Sequence, residues 1–260
     1  MKCKAIMEKL EQLSPLSFAS SWDNVGLLVG DEEKEIHKIL VCVDVTDDVI
    51  RQALHLSADM ILSHHPMIFK GLKRVTEEDF IGRRVLKLAQ SRICYYACHT
   101  NFDVMGMADA AADELGLEDR EVLQITYEDE IAKEGFGRVG SLPKTMTLLE
   151  CAQYVKQVFD IESVRVFGEL DADVTKAAVL PGSGKSMIGD AITAGVDVMI
   201  TGDIDHHDGL DATLRGLSVI DAGHFGMEKI FVPFMEEYLK REVPSVEVVM
   251  ARQGCPFEVV

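Results

Sequence analysis

The sequence predicts an α/β protein with a mainly parallel sheet. Short apolar runs alternate with stretches of helical periodicity, the pattern of β-α-β units. The alternation occurs twice, as two series of similar order. In addition, six of the eight histidines lie at or just beyond the carboxyl ends of expected strands. That edge is where open parallel sheets bind ligands.

The elements follow in order. The amphipathic start, MKCKAIMEKLEQL, predicts a helix over 3–13 and lacks the continuous apolar stretch of a secretion signal. SWDNVGLLVGD reads as a loop carrying the single tryptophan, Trp22. KILVCV (38–43), DMIL (59–62) and ICYYA (93–97) read as buried strands, with helices over 47–56 and 77–91 between them and another over 106–115. The segment 127–145, rich in Glu, Lys and Gly with Pro143, is the expected boundary, giving halves 1–126 and 127–260. Beyond it, a helix over 147–159 leads to strands KAAVL (176–180), DVMIT (197–201) and LSVI (217–220). Helices over 186–194 and 207–215 separate them, and one over 227–240 follows. Both series end on a histidine followed four positions later by an acid, CYYACHTNFD against VIDAGHFGME, which points to an internal duplication.

Composition excludes several classes. With 26 basic and 44 acidic residues among 260, the net charge is −18 and the pI about 4.8, a poor match for phosphate backbones or anionic membranes. Hydrophobic content of 47% excludes disorder, and no apolar run approaches the ~20 residues of a membrane span. A cytoplasmic protein, with no nucleic-acid or membrane partner, is expected. Six cysteines without a C-x-x-C pair read as reduced, mostly buried small hydrophobes.

The chemistry gathers at the strand ends. His64, His65, His99, His206, His207 and His224 lie there with Asp103, Asp203, Asp205, Asp208 and Glu228, whereas His37 and His55 read as solvated. In S-H-H-P, adjacent histidines of a continuing strand would face opposite ways. Pro66 bends the chain so that both rings can turn to one side. Histidine and carboxylate ligands without thiolates suit Zn, Fe, Mn, Co or Ni. More such ligands gather there than one catalytic ion takes from protein, so two divalent ions, ~3.5–4 Å apart, fit better. PGSGKS (181–186) resembles a phosphate-binding loop, but Val179 stands where that motif needs glycine, and a strand-to-helix turn capped by Ser183 or Ser186 is the simpler reading. Trp22 reads equally as a rim anchor for a ligand ring or as a core plug.

SWDNVGLLVG, VDVT, ILSHHP, HTNFD, PGSGKS, TGDIDHHD and DAGHFGME occur in that order and span almost the whole chain. Together they resemble the GTP cyclohydrolase I type 2 homologue family, the Nif three-like dinuclear metal proteins. The resemblance implies two intertwined α/β halves around a metal cleft and a toroidal homohexamer. It also implies His64, His65, Asp103, His224 and Glu228 as ligands of two divalent ions. The function expected is a metal-dependent hydrolase acting on a small-molecule nucleotide or phosphoester, with GTP ring opening by water at C8 as the reaction the resemblance implies. His99 or His207 would shuttle protons, with His207 favoured over His206 as the residue facing the substrate. Trp22 and Asn24 would orient the substrate. The alternative is a non-catalytic metal-binding, metal-delivery or regulatory protein using the same ligands.

Overall fold

The computed structural model describes residues 1–259. Its elements in chain order begin with α1 (Cys3–Leu13), β1 (Gly26–Val29), β2 (Lys38–Cys42), α2 (Asp47–His55), β3 (Met60–Ser63), α3 (Phe80–Gln90) and β4 (Cys94–Ala97). A single helical turn, α4 (Thr100–Phe102), runs into a π-helical stretch (Asp103–Met107) and α5 (Ala108–Glu114). Next come β5 (Glu118–Glu128), β6 (Lys133–Thr147), α6 (Leu148–Val158), β7 (Arg165–Phe167) and β8 (Asp173–Ser183). The chain finishes with α7 (Ile188–Thr193), β9 (Val198–Gly202), α8 (His206–Leu214), β10 (Ser218–Asp221), α9 (His224–Glu228), α10 (Phe231–Glu242) and β11 (Glu247–Met250). The expected strands of both series and the helices between them are present, but the helix expected over 227–240 is split into α9 and α10, and the segment read as a loop around Trp22 ends in strand β1.

The chain divides into two compact units. Met1–Phe102 with Phe231–Gly254 forms one, and Asp103–Ile230 with residues 255–259 forms the other. The expected division at 126/127 falls within the second unit, inside β5. Residues 133–147 there form β6, paired antiparallel with β5. Its glycines and proline have local reasons. A Cβ on Gly135 would lie 1.9 Å from the Gln124 carbonyl, and Pro143 sits where the β6–β8 register shifts between Ser141 and Met146.

The first unit holds a five-stranded sheet in the order β1-β4-β3-β2-β11, parallel except for β1. The continuous apolar runs of β2, β3 and β4 are buried, as strands covered on both faces must be. Helix α1 contributes Cys3, Ile6 and Leu10, all fully buried. Thr46 and Asp79 cap α2 and α3 by accepting from the amides of Val49 and Gly82.

The second unit holds a six-stranded mixed sheet in the order β5-β6-β8-β9-β10-β7. Parallel pairs join β8 to β9 and β9 to β10, and β7 runs antiparallel on β10. One face carries Leu148, Val155 and Phe159 of α6 and its flank, and the other Ile188, Ala191 and Ala212 of α7 and α8. The order β7-β10-β9-β8 repeats the order β1-β4-β3-β2 of the first unit, including the antiparallel edge strand, so the expected duplication has a topological counterpart. No helix among the described residues is long and apolar enough to cross a membrane. Cys3, Cys42, Cys94, Cys98 and Cys151 are buried free thiols, and Cys255 is exposed.

Candidate metal-binding residues

In the first unit, β3 delivers His64 and His65 and β4 delivers His99 past its carboxyl end. The amides of His64 and His65 still donate to the carbonyls of Cys42 and Val43, so the ladder with β2 continues to the bend at Pro66. Ser63 Oγ donates to the His65 carbonyl at 2.7 Å, and the Met67 amide donates to the Tyr95 hydroxyl at 2.6 Å, which fixes the turn. The rings converge despite their adjacency, with centroids 4.8 Å apart for His64–His65, 5.3 Å for His64–His99 and 5.4 Å for His65–His99. One nitrogen from each of the three lies within 4.8 Å of the others.

Each of these histidines is oriented through Nδ1. His64, fully buried, has Nδ1 2.9 Å from the Cys98 carbonyl. His65 Nδ1 lies 2.9 Å from Asp44 Oδ1, and His99 Nδ1 2.9 Å from Asp23 Oδ1. A carbonyl or carboxylate oxygen can only accept, so all three Nδ1 atoms carry hydrogen and Nε2 is the nitrogen left to meet a metal. Metal-ligating histidines are held in this way by their other nitrogen. Asp44 is legible from strand register: β2 and β3 align Cys42 with Ser63, which places Asp44 beside His65. Asp23, with no exposed side-chain surface, carried no spacing signal. Burial alone would raise its pKa, but hydrogen bonds from His99 and Thr100 outweigh that and hold the carboxyl at about 2. Burial pushes the Cys98 thiol up to about 12, which favours its uncharged form.

Trp22 is 59% exposed and packs against Phe69 and His99, with centroids 5.6 and 6.0 Å away, which rules out a core plug. Asn24 Nδ2 donates to the Ile68 carbonyl at 2.6 Å and so pins the chain that carries Phe69.

In the second unit, α9 begins at His224 and ends at Glu228, which puts both on one face, four residues apart. His224 Nε2 is 3.0 Å from Glu228 Oε2, and its Nδ1 is 2.7 Å from Asp203 Oδ2. Asp203 adopts φ +58°, a left-handed conformation that aspartate tolerates. Two glycines let α9 approach the strand ends. A Cβ on Gly182, which has φ +79°, would lie 2.5 Å from Glu228 Oε1, and one on Gly202 would lie 2.6 Å from the His224 amide nitrogen. In PGSGKS, Gly182 and Gly184 serve close packing, since a Cβ on Gly184 would lie 2.1 Å from Thr201 Oγ1, and neither Ser183 nor Ser186 caps the helical residues that follow. Buried Asp221 accepts from the amides of Ile204 and Gly223 and from Arg165, fixing the loops that open α8 and α9.

Asp103 opens the π-helical stretch, four residues beyond His99. His206 and His207 lie exposed in the first turn of α8, which Asp205 caps, with their rings 5.1 Å apart. His207 belongs to none of the histidine–carboxylate groups that could hold an ion among the described residues.

Fold and donors together define an α/β protein whose histidines and carboxylates can hold metal. The chain belongs to the Duf34/NIF3 (NGG1p interacting factor 3) family, whose profile matches residues 1–256. It is 34% identical to the "GTP cyclohydrolase 1 type 2 homolog" of Clostridium perfringens, over 100% of both chains. It is 37% identical to the Clostridium acetobutylicum protein of the same name, over 92% of this chain and 90% of that one. A solved Bacillus cereus protein related to NIF3 superposes with a TM-score of 0.95 at 26% identity, covering 100% of this chain and 99% of the other.

Proposed function

We propose that this chain is a cytoplasmic metal-dependent hydrolase acting on a nucleotide or phosphoester, with two divalent ions held by His64, His65, Asp103, His224 and Glu228. The observation that carries the reading is the Nδ1 anchoring of His64 and His65, which aims borderline nitrogen donors from a fixed backbone. The donor set fits zinc, iron, manganese, cobalt or nickel. Bound divalent ions would supply Lewis acidity toward water and toward a carbonyl or phosphoryl oxygen.

The chain's own residues supply the rest. His99, held by Asp23 through Nδ1, is oriented to accept or return a proton at Nε2. Trp22 and Phe69 offer exposed aromatic surface to a substrate ring, on a segment that Asn24 pins. His207 is the second proton-transfer candidate on this reading. The names of the relatives make GTP the first substrate to assay.

The test is a turnover screen of metal-loaded protein against GTP, other nucleotides and phosphoesters, run beside elemental analysis. Turnover abolished in His99→Ala with metal retained supports the hydrolase. No turnover with any substrate, and metal passing to an acceptor protein, would favour a delivery role instead. Two ions per chain are expected, and a single ion with no second site on titration would overturn the dinuclear assignment. The resemblance also leads us to propose a homohexamer, for which light scattering should give about six chains.

A further inference from the structure

We infer that Arg138 is a positioning residue for Asp103, acting through the π-helical turn that Asp103 opens; the inference rests on the reading of Asp103 as a metal ligand. Arg138 projects from β6 and is 5% exposed. All five of its N–H donors are used. Nε and Nη2 make a two-pronged pair with the Asp109 carboxylate, each at 2.7 Å. Nη1 donates to the carbonyls of Gly135 and Gly137 at 3.0 and 2.9 Å, and Nη2 also reaches the Val104 carbonyl at 3.4 Å. A guanidinium this buried is held in one place by its fork geometry and tolerates no missing partner.

What it ties together is specific. Val104 immediately follows Asp103, and Asp109 lies in the first turn of α5, just past the end of the π-helical stretch. The two are five residues apart, the span of one π turn. A π turn inserts a residue and changes the helical phase after it by about 100°. Its carbonyls lose the regular i→i−4 partner, and without an outside restraint it can relax to α-helix. Bridging the Val104 carbonyl to the Asp109 side chain blocks that relaxation and fixes the backbone from which the Asp103 carboxylate projects. The acceptor cradle also requires its glycines: a Cβ on Gly135 or Gly137 would meet the Gln124 carbonyl at 1.9 Å or the Val179 carbonyl at 3.0 Å. The Gly135 and Gly137 carbonyls thus anchor the guanidinium within the sheet, while Val104 and Asp109 are the acceptors on the turn that carries the ligand. Supporting groups of this kind typically change metal affinity about 10- to 100-fold.

The experiment is a zinc competition titration with a chromophoric chelator on metal-stripped protein, with thermal melting recorded in parallel. The variants are Arg138→Lys, Asp109→Asn, Asp103→Asn and the Asp103→Asn/Asp109→Asn pair. Arg138→Lys and Asp109→Asn should weaken the zinc that depends on Asp103 by about 10- to 100-fold. Asp103→Asn should weaken it at least as much, and the double variant should bind no more weakly than Asp103→Asn alone. A purely structural role would lower the melting temperature in Asp109→Asn with zinc affinity unchanged, and that result overturns the inference, as do additive losses in the double variant. Wild-type affinity in Asp103→Asn would overturn the ligand assignment and this inference together, whereas loss there without loss in Asp109→Asn overturns this inference alone. If Arg138→Lys does not fold, Asp109→Asn decides, since that carboxylate is half-exposed and an amide keeps an acceptor toward the guanidinium.

Discussion

His99 and Asp23, seventy-six residues apart in the chain, share a 2.9 Å hydrogen bond in which the carboxylate has no exposed surface. Asp23 also accepts from the amide and hydroxyl of Thr100, the residue after His99. The imidazole is therefore fixed in position and tautomer by the same acid that holds the next residue, Thr100, through its amide and hydroxyl.

That acid makes stability depend on pH. The folded Asp23 carboxyl, at about 2, lies below its ordinary value, so its contribution is complete above about pH 4 and is lost as pH falls toward 2. The contribution is at most roughly 2–3 kcal/mol. Urea unfolding of chelator-treated protein between pH 2 and 5 should show this loss. Asp23→Asn should be less stable at pH 5 and flatter across the window; an unchanged slope would remove Asp23 as its source.

The histidines at the ends of the two series should differ in role. His99→Ala is expected to retain both ions and lose activity, while His224→Ala should lose at least one ion. Elemental analysis of both variants decides between them. Equal metal loss would make His99 a ligand alongside His64 and His65, whose nitrogens lie within 4.8 Å of its own.

Gly182 and Gly202 should fail in different ways. The added methyl of Gly182→Ala presses on the Glu228 carboxylate, which can shift, so the protein should fold about 1–3 kcal/mol less stably and bind metal poorly. Gly202→Ala instead presses on the His224 amide and the Gly182 carbonyl, which are backbone, and should cost more stability. Melting temperatures and zinc titrations of the pair check the contrast; equal stability in both would contradict it.

Asp221→Ala should leave the buried Ile204 amide and the Gly223 amide without their acceptor, costing roughly 2–4 kcal/mol. Amide exchange should quicken first at residues 203–206 and 222–224. Loss spread evenly over the sheet would mean that Asp221 matters only as Arg165's partner.

The parallel strands and their helices were legible because continuous apolar runs of strand length alternate with capped amphipathic segments, as in β2–α2–β3. The strands outside the two series lack that signal. In β1, glycines stand at both edges of a four-residue run, and the β5–β6 hairpin carries glycines that close backbone packing demands rather than loop conformation. β11 is paired with β2, far away in the chain, and no local pattern reports such pairing. For the metal-binding residues, S-H-H-P and H-x-x-x-E were visible because strand ends and helix turns fix short spacings. The carboxylates that orient the rings were harder to see. Asp44 follows from register, but Asp23 reaches His99 only through tertiary folding.

The pairing of β11 with β2 also sets an order of events during synthesis. β11 starts more than two hundred residues after β2 ends, so at roughly 5–20 residues per second the ribosome needs about 10–40 s to supply it. Throughout that interval the nascent first unit presents β2 as an open parallel edge, a template for any passing strand. The second unit's strands emerge inside the same interval with a sheet of their own to complete. A nascent chain stalled before residue 247 is therefore the species for which a chaperone would matter most.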